Sequence, residues 1–144
     1  MAASNHAPPR PARPSDLAES LRAALEEQDW TRLRSLYHPD ARIATVLSRG
    51  RPLGADESVG AIRAAVEAGT YASDWMHMED LDEHAVLTIG GVRTSPDEGR
   101  VVRQTCWVST FRDGLVYRTV AFASVPEALR AYRDLGVELG IPDL

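Results

Sequence analysis

The chain has 144 residues, 44% of them hydrophobic, with 16 basic and 21 acidic side chains and a formal charge of −5. That length suffices for one domain to close a core without disulfides or metals, and a single cysteine, Cys106, excludes an intramolecular disulfide framework or a multi-cysteine zinc site. The acidic balance and scattered arginines leave no basic footprint for nucleic acid, and no run of about 18 apolar residues is present to span a membrane.

All 16 basic residues are arginine, read as the codon bias of a GC-rich bacterial genome, and the absence of lysine removes Schiff-base chemistry through a lysine amine. The expected setting is the cytoplasm.

Met1 to Pro14 carries four prolines among small polar residues and is expected to be a disordered tail, with one domain over 15–144. Leu17, Leu21 and Leu25 recur at helical spacing after Asp16 and Glu19, which have the form of a capping box. Trp30, Leu33, Leu36 and Tyr37 mark a second, shorter helix after the Asp29-Trp30 junction, and it must stop before Pro39, since proline bars its predecessor from the helical region. Arg42 to Leu47 reads as a strand, and Val59, Ile62 and Val66 mark a third helix closed by Gly69.

The second half reads as four strands, Ser73–Asp80, His84–Arg93, Val101–Arg112 and Leu115–Ala123, with Asp113-Gly114 a strong hairpin signal. Ser124-Val125-Pro126-Glu127 then opens a last helix. The predicted class is α+β, a curved antiparallel sheet wrapped around N-terminal helices with one C-terminal helix, the helices covering one face.

Three groups of residues carry a resemblance: Asp29-Trp30 with Pro39-Asp40-Ala41, Phe111-Arg112-Asp113-Gly114 followed by Val116-Tyr117-Arg118, and Pro126-Glu127-Ala128-Leu129. In that order they resemble the nuclear transport factor 2-like superfamily, above all its SnoaL-like branch. The resemblance implies a cone whose open end holds an apolar small molecule, commonly in a homodimer, and a cofactor-free site. It also covers proteins with no catalysis.

Ketosteroid isomerase chemistry in this superfamily needs a carboxylate base, a tyrosine and a second acid, at positions that fall near Thr45, Leu21 and Trp107. None has the required group. A SnoaL-type cyclase would need a carboxylate on the last strand, which has none, with Ser124 in the slot before the helix; an epoxide hydrolase would need an aspartate two residues from Arg103. A dehydratase pairing histidine with tyrosine finds partial counterparts in His77 and Tyr37.

Strand alternation puts Trp75, His77 and Glu79 on one face and Met76 and Met78 on the other. With the first face inward, His77 is the candidate catalytic base, and Trp75 and Glu79 meet the same ligand. With the second face inward, the pocket is lined by methionine and holds no base. Tyr37, Thr105, Trp107, Tyr117 and Thr119 complete the candidate binding set. No metal site is expected, because the acidic run Glu79–Glu83 lacks the glycine and ligand spacing of a calcium loop.

Overall fold

A computed structural model describes residues 13–45, 51–93 and 103–135; the side chains of 72–76, 92, 93, 103 and 135 fall outside that description. The tail expected over 1–14 therefore lies outside it except for Arg13 and Pro14, and Pro14 is already helical. Helix α1 spans Pro14–Glu26, one turn earlier than the leucine spacing suggested. Pro14 occupies the first turn, where its missing N–H costs nothing, and Asp16 is not the cap but the third helical residue, accepting the Arg13 N–H at 3.2 Å.

Helix α1 ends in a Schellman arrangement. Gln28 takes a left-handed φ of 54°, its N–H reaches the Leu25 carbonyl, and the Asp29 N–H reaches Ala24. Asp29 then caps α2 (Trp30–Ser35) by accepting the Arg32 N–H at 3.1 Å. Helix α3 (Ala55–Glu67) closes in the same way, with Gly69 at φ 74° and bonds from Gly69 to Val66 and from Thr70 to Ala65.

The strands are β1 (Tyr37–Ala44), β2 (Ala72–Asp82), β3 (Ala85–Arg93), β4 (Arg103–Arg112) and β5 (Leu115–Phe122), and α4 covers Val125–Leu135. They form one sheet in the order β1-β5-β4-β3-β2. The last four make the expected antiparallel meander, with Asp113 and Gly114 both at positive φ in the β4–β5 turn. Strand β1 begins at Tyr37 rather than Arg42 and pairs parallel with β5, a detail of direction that the meander does not predict.

The helices do not share one face. Helices α1, α2 and α3 pack with Tyr37, Ile43, Val86, Phe111 and Val116 on the concave side. Helix α4 seats Ala128, Leu129 and Tyr132 against Leu87, Cys106 and Val108 on the opposite side. The reason is the pleat: Leu87, Cys106 and Val108 are fully buried side chains that point away from α1, so that face also requires an apolar cover. Tyr132 donates to Asp82 and ties α4 to the β2–β3 turn.

Thr110 Oγ1 is buried with no hydrogen-bond partner among the described residues. Leaving such a hydroxyl unsatisfied costs about 1–3 kcal/mol. Thr110→Val keeps the shape and removes the hydroxyl, and is expected to raise the urea midpoint by the equivalent of about 1 kcal/mol at unchanged m-value. A lowered midpoint would mean that the hydroxyl is paired.

Candidate functional site

On the concave side, the sheet and α1–α3 leave a cavity of about 120 Å³. Its apolar wall comes from Leu21 and Leu25 of α1, Leu33 of α2, Ile62 of α3 and Ile43 and Val116 of the sheet. Its floor follows the sheet register. Met78 pairs with Thr88 and Thr88 with Trp107, forming one row; Ser109 pairs with Thr119, and Thr119 with Ile43, forming the next. All six of those side chains line the cavity.

Apart from Arg22 and the Trp107 indole, the polar side chains on the wall are hydroxyls. Tyr37, Thr45, Ser58, Tyr71, Thr88, Ser109 and Thr119 contribute one each, and the Ser109 and Thr119 oxygens lie 2.9 Å apart in a mutual hydrogen bond. Burial pushes the Tyr37 phenol up to about 12, with Tyr71 adding to the shift and a hydrogen bond with Ser58 opposing it. Burial likewise pushes Tyr71 up to about 12. Both phenols are therefore neutral at physiological pH.

Arg22 is the single charged residue on the wall among the described residues. Its guanidinium is held by Glu19 and Glu26 of the same helix, and that hydrogen bond lowers the Glu19 carboxyl below its ordinary value. No group of three or more His, Cys, Asp or Glu that could hold a metal occurs among the described residues. Cys106, on the far face, is buried and its thiol is pushed up by that burial, the setting of an inert side chain.

Of the expected site residues, Tyr37, Trp107 and Thr119 line the cavity, each 9% exposed or less. His77 and Glu79 do not: both are exposed, on the face opposite Met78. The inward phase of β2 is the methionine one. Met78 packs against the concave core, and Asp80, two residues on, accepts the Ser15 N–H at 2.7 Å and the Ser15 hydroxyl at 2.9 Å, tying the strand to α1.

Thr105 is half-buried and shares the Trp107 face but lies beyond the cavity. The side chain of Trp75 falls outside the described residues. Tyr117 is turned away from the cavity by a bulge. Thr110 pairs with Arg118 but Phe111 with Val116, so Tyr117 is an extra residue, and Val116 and Thr119 both face inward. The Tyr117 ring is instead flanked by the guanidinium groups of Arg112 and Arg118, each 3.8 Å from its centroid, with His38 edge-on at 5.3 Å.

Ser58, Tyr71 and Thr88 also line the cavity, although sequence patterning does not single them out. Ser58 sits one turn before Ile62 on the inner face of α3, a signal that was available. Tyr71 follows the Gly69 helix stop and precedes β2, where no periodicity applies.

No family model matches the sequence, and no curated protein matches it. Solved structures do. A Sinorhizobium meliloti protein described as a candidate polyketide cyclase is 20% identical, with a TM-score of 0.61 over 74% of this chain and 94% of that one. An NTF2-like protein of unknown function from Cytophaga hutchinsonii is 12% identical, with a TM-score of 0.60 over 84% of this chain and 97% of that one. An epoxide hydrolase from M. tuberculosis, described as LEH-like, is 19% identical, with a TM-score of 0.59 over 79% of this chain and 84% of that one. The fold is accordingly that of the nuclear transport factor 2-like proteins, the cystatin-like α+β cone.

The two cavity phenols give stability a defined pH dependence. In the unfolded chain tyrosine titrates near 10, so between pH 10 and 12 the unfolded state sheds protons that folded Tyr37 and Tyr71 retain, and stability falls. Each contributes up to about 1.4 kcal/mol per pH unit in that window. Tyr132, pushed up to about 12 by its bond to Asp82, adds a third share. Replacing Tyr37 and Tyr71 together by Phe is expected to flatten the decline measured by urea unfolding at pH 9 to 12, leaving the Tyr132 share; an unchanged slope would place both phenols in solvent.

Proposed function

We propose that this protein is a SnoaL-like binding protein whose concave cavity takes an apolar small molecule, polyketide-like or terpenoid-like in character. The observation that carries this reading is the lining itself: apolar side chains and neutral hydroxyls, with Arg22 the one charged group and no carboxylate or imidazole among the described residues of the wall. The small-molecule chemistry named for the S. meliloti and M. tuberculosis proteins of the same fold supports a ligand of this kind.

The alternative is cofactor-free acid/base catalysis, of cyclase, isomerase or dehydratase type, with His77 as the base. Against it stand the exposure of His77 and the identity of the residues where isomerase chemistry would sit: Thr45, Leu21 and Trp107 all line the cavity, and none can take a proton from carbon near neutral pH. Binding without turnover is therefore the preferred reading. The SnoaL-like resemblance further suggests a homodimer, and a lone buried cysteine suits a cytoplasmic setting. No helix among the described residues is long and apolar enough to cross a membrane.

A thermal-shift screen of uncharged apolar compounds tests the proposal. A binder present at about a hundred times its Kd stabilises the fold by about 2.7 kcal/mol, worth roughly 5 to 10 °C in Tm for a domain of this size. His77→Ala is expected to leave that shift unchanged, and Met78→Arg to abolish it. A screen in which no compound moves the wild-type Tm contradicts the proposal, and loss of binding in His77→Ala would return the site to the other face of β2.

A further inference from the structure

The floor of the cavity holds two hydrogen-bond donors that no other described residue engages. The Thr88 hydroxyl and the Trp107 indole N–H belong to directly paired residues of β3 and β4, 8% and 9% exposed, and both residues line the cavity. Neither group is hydrogen-bonded to any described residue; the polar atom sealed in protein without a partner is Thr110 Oγ1, on a different part of β4. Both residues line the cavity, so a molecule held there is the partner within their reach. Ser109 and Thr119, in the next row, already satisfy each other.

An indole N–H donates and cannot accept, so Trp107 specifies a partner with a lone pair. Opposite residues in an antiparallel pair hold their Cβ atoms about 5 Å apart, close enough for both donors to meet one oxygen. Charge is excluded on separate grounds. The wall's phenols are neutral, and Arg22 is already matched by two carboxylates, so an ionised ligand would find no counter-charge. Size gives a scale: about 120 Å³ is comparable to the roughly 150 Å³ of an apolar cavity that holds one benzene ring.

We infer that the ligand is an uncharged, one-ring molecule bearing a carbonyl oxygen, such as a cyclic or aryl ketone, with Thr88 and Trp107 as the residues that select the oxygen. This rests on the binding reading above and specifies its ligand class.

Four probes measured by isothermal titration against the full chain separate the two levels. Acetophenone supplies ring and carbonyl, ethylbenzene the ring without the acceptor, benzoate the ring with a charge, and 2-acetylnaphthalene a second fused ring. Acetophenone is expected to bind most tightly, with benzoate weaker by roughly 100-fold for its unpaired charge. Thr88→Val is expected to weaken acetophenone by roughly 5-fold and leave ethylbenzene unchanged, and Trp107→Phe to do the same to the ketone while keeping an aromatic wall.

Benzoate within tenfold of acetophenone overturns the exclusion of charge. Equal binding of acetophenone and ethylbenzene, unaffected by Thr88→Val, overturns the acceptor. Binding of the naphthyl ketone alone overturns the one-ring limit and leaves the cavity as a binding site. Failure of all four overturns the binding reading itself.

Discussion

The row Met78-Thr88-Trp107 sets the phase of the sheet, and the rest of the site depends on it. Side chains alternate with a period of two, so a single commitment on β2 fixes which residues of β3, β4 and β5 face the helices. Met78 is partly buried against the concave core, so its packing contributes less than the roughly 1.5–3 kcal/mol of a fully buried side chain, whereas an imidazole in the same position would carry a desolvation cost instead. The other face is fixed at the same time: Leu87, Cys106 and Val108 turn outward and are covered by α4. A slip of one residue would bring His77 in and expose both cores.

The cavity exists because the elements around this sheet stop where they do. Schellman ends at Gln28 and Gly69 halt α1 and α3, and the chain beyond them delivers Leu33 and Tyr37 on one side and Tyr71 on the other. The bulge at Tyr117 keeps Val116 and Thr119 both facing inward near the sheet edge, where β5 meets β1. What results, among the described residues, is a wall of apolar carbon punctuated by hydroxyls, with Arg22 its one charged group and no carboxylate or imidazole on it. The proposed uncharged ligand matches that lining.

Local signals made most of the fold legible. The Gly69 stop, the Asp113-Gly114 turn and the Ser124 start each work within a few residues and stand where the sequence places them, and the Asp29-Trp30 junction separates α1 from α2 with Asp29 as the cap of α2. What local signals do not contain is the orientation of β2. Its two faces, Trp75-His77-Glu79 and Met76-Met78-Asp80, are each mixed in polarity, and the contact that binds Asp80 to the helical side is to Ser15, 65 residues away.

The misplacement of Tyr117 has the same origin, because a bulge is a property of the β4–β5 pairing and not of β5 alone. Trp107 lines the cavity through the regular pairing of β3 with β4, whereas Tyr37, expected on the second helix, opens β1 ahead of a register shift, and Tyr71 and Ser58 lie off the strands altogether. The side of the sheet taken by α4 was likewise hidden, since an amphipathic helix shows that it needs an apolar face without saying which one.

The central claim is that the ligand meets the Met78 side of β2. It is tested most directly by NMR of protein labelled at the methionine methyl groups and histidine rings, titrated with acetophenone. The account predicts that the Met78 methyl shifts and shows ligand contacts while the His77 ring resonances stay in place; ligand contacts at His77 with Met78 unmoved would contradict it.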